Sequence, residues 1–150
     1  MSRELTTKLI PPAPTSRAVS AVMRANRGQD TKLELIVRKL LFSQGYRYRV
    51  HMKALPGRPD IVFTRRKKVI FLHGCFWHQH PSESCPLRCQ PKSNTGYWSE
   101  KFRRNVNRDA SNEHKLRSLG WELMIIWECE TRDIHGTWGR LKTFLGPPTT

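Results

Sequence analysis

A chain of 150 residues is long enough for one two-layer core and too short for two independent ones. Lys and Arg number 27 against 12 Asp and Glu, a formal net charge of +15. Self-repulsion of that size opposes compaction, and a phosphate polyanion is the partner that turns it to use, because binding releases condensed counterions. No acyl or prenyl motif, basic amphipathic anchor or long apolar run points to a membrane. Charge alone leaves a ribosomal-type or merely soluble basic protein open.

Residues 1–16 are polar, basic and proline-bearing, and are expected to form a flexible arm without the apolar stretch of a secretory signal. Residues 17–146 are expected to form the domain, opening on a short helix within 16–27, with 147–150 as a tail. Thr31–Gln44 reads as a helix: Leu33, Ile36, Val37, Leu40 and Leu41 recur at helical spacing, Thr31 and Glu34 form an S/T-x-x-E cap, and Gly45 stops it. Tyr46–Val50 alternates like a strand. Asp60–Phe63 and Val69–His73 are β-branched and aromatic runs joined by Thr64-Arg65-Arg66-Lys67-Lys68, a hairpin pattern. Residues 81–95 carry no hydrophobic period and read as a loop. Tyr97–Leu119 is a second helix whose polar middle leaves room for a break near Ala110-Ser111. Trp121–Glu128 is nearly continuously apolar, as in a strand buried on both faces, and Thr137–Leu145 is a final amphipathic helix. The order α-β-β-β-α-β-α predicts an α/β fold, a mixed sheet flanked by helices.

Chemistry gathers at the hairpin. In Leu55-Pro56-Gly57-Arg58-Pro59-Asp60 the Pro-Gly pair turns the chain, Pro59 is expected to hold residue 58 extended, and Asp60 opens the strand. A carboxylate there suits Mg2+, which prefers oxygen ligands; taken alone, a turn residue or surface charge explains Asp60 slightly better. The facing strand ends in His73-Gly74-Cys75-Phe76-Trp77-His78-Gln79-His80. Three histidines in eight residues are too many for core filling, and an imidazole beside a carboxylate can activate water or protonate a leaving oxygen. The cysteines Cys75, Cys85, Cys89 and Cys129, with His80 among the first three, read as metal ligands rather than disulfides.

These residues make the chain recognisable. Met23-Arg24-Ala25, Asp30-Thr31 with Glu34, LPGRPD at 55–60, HGCFWH at 73–78, Tyr97-Trp98, Lys101 with Asn105 and Arg108-Asp109, Leu119-Gly120-Trp121 and Trp127-Glu128-Cys129 follow one another in order. Together they resemble the very short patch repair (Vsr) mismatch endonucleases, from about Ser16 to Cys129. The resemblance implies a restriction-endonuclease-like sheet and a Mg2+-dependent enzyme, using two ions, that nicks one strand 5′ to the T of a T·G mismatch. Such mismatches arise by deamination of 5-methylcytosine.

Residue by residue, the resemblance makes Asp60 the central Mg2+ ligand, the Leu72 carbonyl a second, and His78 the catalytic imidazole. His73 and Glu34 would position water around the metal; Glu34 also reads as the capping acid of its helix. A structural Zn2+ would be held by Cys75, His80, Cys85 and Cys129, with Cys89 competing for the place of Cys85. Phe76 and Trp77 would enter the base stack, joined by Trp98 and by Met23 on the basic arm, while Lys101 and Asn105 would lie near the mismatched bases. The other basic residues at 65–68 and on the second helix read as phosphate contacts. The expected setting is a cytoplasmic bacterial monomer acting on double-stranded DNA, with room for repair accessory proteins. Two alternatives stand beside it: a nuclease of the same fold used in restriction or defence without mismatch dependence, and an inactive zinc-stapled DNA-binding protein.

Overall fold

The computed structural model describes residues 9–10, 31–82, 84–88 and 90–148. The predicted arm apart from residues 9–10, the helix within 16–27 and the end of the tail lie outside them. The described chain runs α1 (Lys32–Ser43), β1 (Arg49–Val50), β2 (Ile61–Phe63), β3 (Lys68–His73), α2 (Thr95–Ser118), β4 (Glu122–Trp127), a 3-10 turn (Glu128–Arg132) and α3 (Ile134–Leu145). The strands form one sheet in the order β1-β2-β3-β4, antiparallel at the first two pairings and parallel between β3 and β4. The expected mixed sheet flanked by helices is observed.

Strand periodicity sorts the core into two layers. Ile61 and Phe63 of β2, Ile70 and Leu72 of β3, and Met124 and Ile126 of β4 pack with Leu33, Val37 and Leu41 of α1 and Leu141 and Leu145 of α3. The alternating residues Val62, Val69 and Phe71 face Leu116 of α2, with Leu123 and Ile125 against them. A period of two thus sends each strand's side chains to opposite helical layers. Residues 69–73 of β3, the inner strand between β2 and β4, are all buried.

Several expectations are corrected. β4 is covered on both faces but lies at the sheet's edge, so Glu122 is exposed and Leu123, Ile125 and Trp127 are only half-buried. Apolar composition reports the covering helices and not the missing neighbour strand. Residues 46–48 are not strand: Tyr46 is buried against Phe63 and Trp138 instead. α2 is unbroken through Ala110-Ser111, because Leu116 anchors its second half in the core. α3 starts earlier than predicted, at a cap where Asp133 accepts the Gly136 N–H at 3.0 Å.

The basic hairpin turn is also partly committed. Arg66 donates to the Leu145 and Pro147 carbonyls and Lys68 to Phe144, while the Tyr46 hydroxyl donates to Gly146. These donors satisfy the carbonyls that every helix leaves unpaired at its C-terminus, so two of the four turn cations hold α3 rather than standing free for phosphate.

Candidate active site and metal-binding clusters

The LPGRPD segment places Asp60. Leu55 accepts the Arg58 N–H at 3.2 Å, closing a turn around Pro56 and Gly57. Gly57 has φ +77°, and a Cβ there would come within 3.0 Å of Asn112 on α2, so glycine serves both the turn and the close approach. Arg58 is left-handed (φ 46°), not extended as its place before proline suggested; the turn's closing hydrogen bond decides its conformation. The chain then delivers Asp60 beside β3, where the Leu72 N–H donates to its carboxylate at 2.7 Å. Burial pushes the Asp60 carboxyl up to about 6, against the lowering effect of that amide; the neighbouring Glu34 charge adds to the rise.

Asp60 belongs to a cluster with Glu34 and His51, whose ligand atoms lie within 4.8 Å of one another. Glu34 sits in the first turn of α1, where its N–H donates to the Thr31 hydroxyl at 3.3 Å. The predicted cap is therefore present. The buried Glu34 carboxylate reaches the Arg38 guanidinium at 2.6 Å and His51 Nε2 at 2.9 Å.

A second cluster joins His73, His78 and Asp109. The His73 and His78 rings stack in parallel with centroids 3.9 Å apart. His78 Nδ1 lies 2.6 Å from an Asp109 carboxylate oxygen. A carboxylate there selects the Nδ1–H tautomer and leaves the lone pair on Nε2, the form a general base needs. His73 is buried and its Nδ1 has no hydrogen-bond partner among the described residues. Burial, with the adjacent His78, lowers its pKa to about 3, so His73 stays neutral.

The third cluster is Cys75, His80, Cys85 and Cys129, again with ligand atoms within 4.8 Å. Its parts come from three places: the turn after β3, the following loop and the 3-10 turn after β4. The Cys129 N–H points at Cys75 Sγ (3.4 Å), and Cys129 Sγ lies 3.6 Å from His80 Nδ1. Burial pushes the Cys75 thiol up to about 12, whereas the His80 hydrogen bond brings Cys85 down to about 6. Three sulfurs and one imidazole converging without a disulfide form a donor set suited to a tetrahedral soft-ligand metal site.

Between these clusters and α2 lies an aromatic group. Phe76 meets Trp77, Trp98 and Phe102 edge-on at 5.0–5.5 Å, and Trp98 stacks on Phe102 at 5.7 Å. Phe76 and Trp77 are half-buried, while Trp98 and Phe102 lie beneath, only 7 % exposed.

Comparison with known proteins gives the family. A family model described as DNA mismatch endonuclease Vsr matches residues 13–84. A type II nicking enzyme of Xanthomonas oryzae pv. oryzae is 44 % identical over 126 residues, covering 84 % of this chain and 90 % of that protein. The chain belongs to the Vsr family. The DNA mismatch endonuclease Vsr of Escherichia coli is 44 % identical over 110 residues, 73 % of this chain and 69 % of its own. A nicking enzyme of Neisseria meningitidis serogroup A is 44 % identical over 119 residues, 79 % of this chain and 83 % of its own.

The structure thus brings the sequence-predicted Vsr residues into three neighbouring groups: Asp60 with Glu34, His78 with His73, and the four Cys/His donors. Met23 and Cys89 lie outside the described residues. Lys101 is half-buried on α2. Asn105 is buried and donates to the Trp77 carbonyl at 3.0 Å, so it braces the aromatic turn. Arg103 and Arg104 bond Glu100, whose carboxyl they hold down at about 2.

Sequence reasoning gave no role to His51 or Asp109. Asp109 was detectable: Trp98, Phe102, Asn105 and Asp109 follow helical spacing on one face of α2. His51 carried no such signal.

Proposed function

We propose that this chain is a divalent-metal-dependent endonuclease that nicks one DNA strand 5′ to the T of a T·G mismatch, initiating repair of deaminated 5-methylcytosine. One observation carries the reading: Asp60, held by the Leu72 amide, shares the end of β3 with an imidazole already paired to a carboxylate, His78–Asp109. A DNA-binding module needs neither. The restriction-endonuclease-like fold proposed for residues 17–146 agrees with an acid entering the sheet at a turn and facing the end of a buried neighbour strand.

The proposed division of labour follows from the geometry. In an extended strand a residue's N–H and C=O face the same neighbour. The Leu72 amide points to Asp60, so the Leu72 carbonyl is available on that side as the second oxygen for Mg2+. Held there, Mg2+ supplies Lewis-acid stabilisation of charge building on the scissile phosphate. Asp60 must be ionised for this, and burial, which raises its pKa, opposes ionisation until a cation is bound. His78 takes the proton from the attacking water at Nε2, and Asp109 stabilises the imidazolium that forms. His73 fixes the plane of His78 by stacking. Glu34, whose ligand oxygen lies within 4.8 Å of that of Asp60, is proposed to position water around the metal.

The Cys75–His80–Cys85–Cys129 set is proposed as a structural Zn2+ site, because four protein donors fill a tetrahedron and tie the loop after β3 to the turn after β4. Phe76 and Trp77 are proposed to insert where a T·G pair stacks less well, on the platform of Trp98 and Phe102, with Lys101 nearby and Met23 approaching from the arm. The name of the Escherichia coli relative, DNA mismatch endonuclease, supports mismatch use. The printed names of the other two relatives, type II nicking enzymes, keep the restriction-linked setting as a second reading.

The test is end-labelled duplexes carrying T·G, C·G or other mismatches, incubated with the protein and Mg2+. Nicks confined to the T strand of T·G support the proposal. Equal cutting of matched duplex transfers it to the second reading, and tight binding without cutting refutes catalysis.

A further inference from the structure

His51 stands outside every motif of the sequence, yet it lies between the two carboxylates of the candidate metal centre. Its Nε2 is 2.9 Å from Glu34 Oε2 and 4.0 Å from Asp60 Oδ1. All three side chains are largely buried, at 15 %, 4 % and 17 % exposure. The Arg38 guanidinium lies 3.3 Å from the same nitrogen and also holds Glu34.

The backbone supplies an independent observation. His51 follows β1 directly and takes a left-handed conformation, φ 48°. A non-glycine residue is strained there. β1 pairs with β2 through Val50 and Ile61, so the residue after the one strand and the residue before the other, His51 and Asp60, are brought side by side. With the backbone turned this way, the imidazole of His51 lies between the two acids.

We infer that His51 Nε2 is a nitrogen ligand to the divalent cation at Glu34 and Asp60, and that it makes this centre favour a transition-metal ion such as Mn2+ over Mg2+. Carboxylate oxygens bind either ion. Mg2+ strongly prefers oxygen, whereas an imidazole adds affinity for first-row transition metals. Coordination requires the neutral ring with its proton on Nδ1, which leaves the Nε2 lone pair for the cation. Arg38 then remains as the countercharge of Glu34. The inference rests on the proposal that a cation binds at Asp60.

The experiment is electron paramagnetic resonance of Mn2+ bound to the full-length, zinc-loaded protein without DNA, with Mg2+ affinity read by competition. Wild-type protein should bind Mn2+ about tenfold more tightly than Mg2+ and show the hyperfine coupling of a directly bound nitrogen. His51→Gln should lose that coupling and bring the two affinities within about threefold. Mn2+ bound by wild type without nitrogen coupling overturns the inference, and this arm needs no variant to fold. Coupling that persists in His51→Gln overturns it equally. Asp60→Ala separates the two levels. If it binds Mn2+ as wild type does, the cation site at Asp60 fails; if it loses Mn2+ while wild type shows no nitrogen coupling, only the role of His51 fails.

Discussion

The Cys/His cluster and the Asp60–His78 region share the short segment after β3 but are held in opposite ways. Asp60, Leu72, His78 and Asp109 hang from a tight turn, the end of the buried inner strand and a helix anchored by Leu116. Their charges already have protein partners: the Leu72 amide for Asp60 and Asp109 for His78. Cys85 sits in a loop without helix or strand, with Cys75 pushed up to about 12 and Cys85 drawn down to about 6. Burial holds Cys75 protonated, and a bound cation is what would take the place of its proton. On the proposed reading, metal is part of the fold in the one region and a reagent in the other. Trp127 joins them, stacking on His80 at 4.5 Å and meeting His73 edge-on at 5.1 Å.

The contrast breaks first, and hardest, under metal removal. A zinc-selective chelator should lower Tm by more than about 10 °C, whereas withdrawing Mg2+ should leave it unchanged. Calorimetry of the two treated samples checks this, and equal Tm values would erase the distinction. Next, Asp109→Asn should slow single-turnover nicking by about 100-fold with DNA affinity within about twofold, because the carboxylate acts through His78 and not on DNA. Rescue of the rate by raising the pH would fit; an equal loss of binding would not.

A third prediction concerns stability. The Asp60 carboxyl is raised from 3.8 to about 6, so folding favours its protonated form. That stabilisation is fully present below about pH 3.8 and is lost as pH rises through about 6. At pH 7.5 the metal-free centre carries a buried, disfavoured charge. Asp60→Asn should therefore raise urea stability there by about 2 kcal/mol without Mg2+, with the gain shrinking towards zero near pH 4. A variant less stable than wild type at pH 7.5 would contradict the electrostatic account. The smallest effect is Trp77→Ala, expected to reduce the preference for T·G over C·G duplex by about fivefold, near 1 kcal/mol. Parallel binding titrations decide it, since equal loss on both duplexes removes the wedge.

What the sequence conveyed was local. The Thr31 cap, the helical face of α1 and the two hairpin strands follow from spacing within a few residues, and each is observed. The four Cys/His donors, spread over 54 residues, were named from family resemblance, and the structure brings them together. The place of β4 was not legible, because five apolar residues in a row look alike in an inner strand and in an edge strand covered by helices. Arg66 and Lys68 looked like open phosphate contacts because nothing local places the end of α3 beside their turn. His51 depends on a left-handed residue and a two-residue strand pairing, neither of which leaves a period in the chain.

The central claim is that chemistry belongs to Asp60 while the Cys/His cluster keeps the fold. Its most direct test is nicking of a labelled T·G duplex in Mg2+ by Asp60→Ala protein whose zinc content and Tm are measured on the same sample. The account predicts a rate at least about 1,000-fold below wild type, with zinc content unchanged and no loss of Tm. Nicking at the wild-type rate by that folded, zinc-loaded variant would contradict it.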